Sequence, residues 1–198
     1  MDHGEARLVS TPLGSVLHDL VHTAFEAQRV AASDDTEYYL TSLLSDFLRA
    51  DPERLSRALG LELLKVEELG PSQRFARLKD IGDTSLFLSG IFLDHVESGL
   101  AATDYVFEIG STAYLRLGHC ERRHPLADAF AETFKDLGRR FEQFVRVLAA
   151  MSDTELFSSN ARVLGLYERW MRSGTARDAH RLVALGVIPG KPEPTKSH

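Results

Sequence analysis

Apolar residues recur along most of this chain every three or four positions, a spacing that gathers them on one side of a helix. Leu13, Val16, Leu17, Leu20, Val21, Ala24 and Phe25 predict a first helix over residues 12–31. Asp34 followed by Glu37 has the form of a capping box. It opens a second helix striped by Tyr39, Leu40, Leu43, Leu44, Phe47 and Leu48. Asp51-Pro52 restarts a short helix that holds Leu55 and Leu59 and stops at Gly60. Residues 61–69 fit either a short helix or an extended connector.

Ser72 caps a third long helix reaching about residue 97. Its middle, Leu86 to Leu93, is apolar on nearly every side, which predicts enclosure by neighbouring helices. A fourth helix opens at Thr103 or Asp104 and closes at Gly118. The clearest periodicity lies in a fifth, over residues 124–151, where Phe130, Phe134, Leu137, Phe141, Phe144 and Leu148 form a coiled-coil-like seam. Asn160 caps a sixth helix ending at Gly174, and Thr175 a last one ending at Gly186. No segment alternates apolar and polar residues for long enough to make a sheet. The pattern therefore predicts an all-α fold, a single compact bundle of about six or seven helices over residues 11–188 with a long amphipathic fifth helix. Residues 1–10 and 189–198 read as disordered tails with too little apolar surface to order themselves.

Composition narrows the setting. Cys120 is the one cysteine, so neither an intrachain disulfide nor a tetracysteine zinc site can form. The N-terminus has no basic start followed by an apolar stretch. The most apolar run, Leu86 to Val96, is too short to span a bilayer and contains Asp94 and His95. A cytoplasmic protein without a membrane partner is expected. A net charge of −6 disfavours coating a polyanion. Arg162, Arg169, Arg172, Arg177 and Arg181 with Trp170 make the C-terminal end locally basic, but Glu168 and Asp178 dilute it, and a solvated face is favoured over nucleic-acid binding.

Candidate chemistry is sparse. Lys79-Asp-Ile-Gly-Asp-Thr-Ser-Leu-Phe87 and Phe107-Glu-Ile-Gly-Ser-Thr-Ala-Tyr-Leu115 share an acid, Ile, Gly, Thr and a small residue in register. Glycine inside a helix costs about 0.5–1 kcal/mol relative to alanine, so two in one context ask for a shared reason. One reason is close helix packing at Gly82 and Gly110. The other is a pocket, with Asp83, Thr84, Ser111 and Thr112 as ligand-binding groups. Asp83, one turn before the enclosed segment, would need a partner or a raised pKa. His18, His22 and Glu26 follow one line along the first helix and could ligate a divalent metal, although border histidines more often pack or pair. His119-Cys120-Glu121-Arg122-Arg123-His124 clusters metal-binding groups with a thiol that the arginines could activate, in what reads as a loop. A di-iron bundle needs two Glu-x-x-His motifs, and the chain has one, in that loop. His22 together with Gly82-Asp83-Thr84-Ser85 resembles the helix histidine and glycine-kinked distal helix of haem-oxygenase-type bundles. The likeness covers only those residues, at a shorter spacing than that family uses, and implies haem as an alternative cofactor.

Neither a phosphate-binding glycine loop nor a nucleophile elbow is present, so nothing positive supports an enzyme. Helical phenylalanines at core spacing read as core. The favoured expectation is an interaction or regulatory protein without a cofactor, self-associating as a homodimer through the surplus apolar surface at Val145 and Val147. The alternative is a bundle that binds a small ligand, metal or haem through the His18/His22 and Gly82-Asp83 regions.

Overall fold

The helix that predicts its own enclosure is the one the others surround. In a computed structural model, residues 71–91 form a helix that packs on four other helices. The structure describes residues 13–48, 58–91, 100–120, 125–154, 156, 157, 166, 170 and 174–184. All of the regular structure among these residues is helical: α1 (Leu13–Gln28), α2 (Asp34–Leu48), α3 (Leu59–Lys65), a 3-10 turn (Val66–Glu68), α4 (Pro71–Ile91), α5 (Leu100–Gly118), α6 (Pro125–Arg139), α7 (Phe141–Ala149) and α8 (Ala176–Ala184). The all-α expectation holds. The tails, the restart at Asp51-Pro52, Asn160, and Glu121 to His124 lie outside the described residues.

Each boundary has a local cause. Ser33, rather than Asp34, caps α2: its Oγ accepts from the Thr36 amide at 3.3 Å. Asp34, Asp35 and Glu37 then place negative charge on the first turn, where the helix dipole favours it. Gly60 does not stop a helix but lies in the first turn of α3, where the Tyr105 hydroxyl occupies the space a side chain would need.

The long fifth helix is the main correction. It is two helices, broken at Arg140, whose backbone leaves the helical region (φ −114, ψ 27). Several groups hold the break. Ser111 Oγ of α5 donates to the Gly138 carbonyl at 2.8 Å. The Arg140 guanidinium donates to Asp136 at 2.9 Å, to Gln143 at 2.9 Å and to the Ala31 carbonyl at 2.8 Å. Gly138 lets α6 close on Leu115, whose side chain and amide would lie within 3 Å of an added Cβ. The seam survives the break: Phe134, Leu137, Phe141, Phe144 and Leu148 are all buried. Periodicity reports which side faces the core, and a one-residue break that keeps that side inward leaves it intact.

Val145 and Val147 are also buried, so the apolar surplus that suggests a homodimer belongs to the chain's own core. A second, smaller cluster of Leu166, Trp170 and Leu182 stands apart from the main core. No described helix is long and apolar enough to cross a membrane.

Candidate functional site

The glycines of the repeated segment serve packing. A Cβ at Gly82 would stand 2.9 Å from the Tyr114 ring of α5, and one at Gly110 would stand 2.7 Å from the Ser85 Cβ of α4 and closer still to the Phe141 ring. Each glycine thus receives a residue from the other copy of the echo, and α4 and α5 approach closely.

That approach builds a buried polar cluster. Asp83, only 2% exposed, accepts from the Tyr39 hydroxyl of α2 at 2.5 Å and from the Tyr114 hydroxyl at 2.8 Å, both on Oδ1. Its Oδ2 accepts from Lys79, one turn earlier, at 2.6 Å. Both oxygens are engaged, as a desolvated carboxylate requires. Lys79 keeps part of its side chain in solvent and lies 5.1 Å over the Tyr39 ring. Burial foremost, then the Asp83 charge, raises both tyrosine hydroxyls well above their usual range, so they remain donors. Phe134 closes the cluster, edge-on to Tyr39 at 5.3 Å and stacked on Tyr114 at 6.3 Å. Lys79 at i−4 is a partner for Asp83 that the sequence makes visible. No local signal names Tyr39 or Tyr114, since helix contacts fix which elements meet.

Neither groove found among the described residues holds Asp83 together with the other expected ligand groups. Thr84 is fully buried and its Oγ1 has no hydrogen-bond partner among the described residues. Ser111 is spent on the Gly138 carbonyl. It lines a small groove of about 280 Å³ at the α6–α7 break with Phe107, Glu108 and Arg139, which includes neither Asp83, Thr84 nor Thr112. Thr112 is half-buried on α5.

His18, His22 and Glu26 stand on the outer side of α1, with the two imidazoles stacked 6.5 Å apart. His22 turns its Nδ1 to Glu37 of α2 at 3.1 Å and its Nε2 toward Glu26 at 3.7 Å. The hydrogen bond to Glu37 and that carboxylate's charge raise the His22 pKa. The line is thus an inter-helix ion-pair chain, and no three His, Cys, Asp or Glu among the described residues are placed to hold a metal ion. Haem does not fit the residues that suggest it. His22 is outside and engaged by Glu37, while the space at Gly82 is filled by Tyr114. Burial raises the Cys120 thiol, while Arg122 and Arg123, the neighbours expected to activate it, lie outside the described residues.

An open groove lies between the outer faces of α1 and α2. It measures about 550 Å³, within the range of ligand sites, and is lined by Gly14, Ser15, His18 and Asp19 from α1 and by Tyr38, Thr41, Ser42, Ser45 and Asp46 from α2. Small residues make it: a Cβ at Gly14 would meet nothing within 4 Å. Tyr38 at its wall is 63% exposed. Of the residues singled out in the sequence, only His18 belongs to it. The available signal is the run of small polar residues on the outer side of α2, which reads as an ordinary solvated face until α1 is set beside it.

Compared with protein-family models, curated proteins and solved structures, the chain matches none.

Proposed function

We propose that this protein is a helical interaction module of regulatory type whose binding face is the α1–α2 groove. The contrast in how polar groups are used carries the reading. The interior carboxylate has donors on both oxygens, whereas the groove presents carboxylates, hydroxyls and an exposed aromatic ring to the outside. Core polar groups satisfied in this way specify a fold; exposed ones around a concavity suit recognition. Because the expected dimer surface is interior, the groove supports the interaction reading by itself.

Photo-cross-linking tests it. A photoreactive residue replacing Ser42, expressed in the host cell, should yield discrete cross-linked species that are absent when the same residue replaces exposed Arg146 of α7. No cross-link from Ser42, or the same species from both positions, would overturn the reading.

A further inference from the structure

The geometry points to a lysine- or arginine-bearing segment of a partner protein as the occupant of the α1–α2 groove. This deepens the interaction reading and rests on it. Asp19 and Asp46 put carboxylates on both helices of the groove, and neither Lys nor Arg lines it. Among the described residues Asp46 makes no ion pair, and Asp19 pairs with His18 at 3.9 Å and acts more weakly through its charge on His22. Glu37, by contrast, is engaged by His22.

The charge of the surrounding hairpin agrees. Residues 13–48 carry six carboxylates, Asp19, Glu26, Asp34, Asp35, Glu37 and Asp46, against the single guanidinium of Arg29, in a chain whose net charge is −6. This stretch thus has a net formal charge of −5, with Arg49 next in sequence and Arg140 reaching the Ala31 carbonyl, and its excess of carboxylates would steer a cationic segment toward the groove. Tyr38 offers an aromatic face for a guanidinium or ammonium. Gly14, Ser15, Ser42 and Ser45 leave room for a backbone to approach, with hydroxyls that can serve its peptide groups. From Tyr38 to Asp46 the groove runs along roughly 12 Å of helix, the reach of about four extended residues. An acidic segment or a nucleic acid would meet like charge along the same path.

A labelled peptide of alternating lysine and glycine, its arginine counterpart and its glutamate counterpart serve as probes in fluorescence polarisation against the full chain. The basic peptides should bind, more weakly at higher salt, and the glutamate peptide should not. Asp19→Asn with Asp46→Asn should weaken binding about tenfold. Asp34→Asn with Asp35→Asn removes equal charge from outside the groove and should change it less. Circular dichroism confirms that both variants fold. Equal binding of basic and acidic peptides would overturn the inference, as would equal loss from both variant pairs or displacement of the peptide by spermidine at matched charge. Retained cross-linking from Ser42 without preference for the basic peptides would remove the basic partner and leave the interaction reading standing. Loss of cross-linking from Ser42 would remove both.

Discussion

The Asp83 cluster and the α1–α2 groove are made from much the same residue types, aspartate, tyrosine and small hydroxylated side chains, yet desolvation sets them to opposite uses. Around Asp83 the helices leave no room for solvent, so the carboxylate is held by two phenols and an ammonium group. Removing any donor leaves a buried group without its partner. On the groove, solvent already reaches Asp46 and Tyr38, so each can exchange it for a partner's group at little cost. A buried polar group is part of the fold, and an exposed one beside a concavity is available to a ligand.

The two aspartates should differ most on substitution. Asp83→Ala should destabilise the protein by about 3–5 kcal/mol, because two buried hydroxyls lose their acceptor and Lys79 its counter-ion. Asp83→Asn keeps an acceptor and should cost less. Asp46→Ala should stay within about 0.5 kcal/mol. Urea denaturation followed by circular dichroism measures all three, and similar costs for Asp83→Ala and Asp46→Ala would dissolve the distinction. The glycines give the next largest effect. Gly110→Ala drives a methyl group into Phe141 and Ser85 and should cost about 1–3 kcal/mol. Gly14→Ala faces open space and should be neutral or stabilise by up to about 0.5–1 kcal/mol through helix propensity. It also narrows the groove, so it separates stability from binding: the fold should hold or gain while the lysine peptide binds more weakly.

What the sequence discloses follows the same division. Core-facing stripes are legible because burial repeats with the helix period, and even the break at Arg140 does not disturb the seam from Phe134 to Leu148. The break itself is not legible. It depends on Ser111 and Ala31, distant in sequence, meeting Gly138 and Arg140. Asp83 announces its need for partners by its position, and Lys79 by its spacing, whereas Tyr39 and Tyr114 become partners only once α2, α4 and α5 are packed. The groove is least visible. Nothing in the pattern of α1 or α2 alone distinguishes a solvated face from half of a concavity, so Tyr38, Ser42 and Asp46 carry no mark.

The smallest predicted effect concerns pH, and it belongs to the outer face. The two buried tyrosines titrate far above neutrality, so they add nothing to stability changes near pH 7. His22 does. Its hydrogen bond to Glu37 and the Glu37 charge hold its folded pKa above the ordinary imidazole value of about 6.5. Folding is therefore favoured by the protonated ring. That contribution is complete below the unfolded-state pKa and disappears as pH rises through the higher folded-state value. The ring is exposed, so solvent screens the effect and the change in midpoint should be small. A proton titration of the His22 ring by NMR should show the raised midpoint in the native chain and a lower one in Glu37→Gln. Glu26→Gln should move it less, since Glu26 acts only through a weaker charge interaction. An unmoved midpoint in Glu37→Gln would mean that the α1–α2 face is not held by this pair.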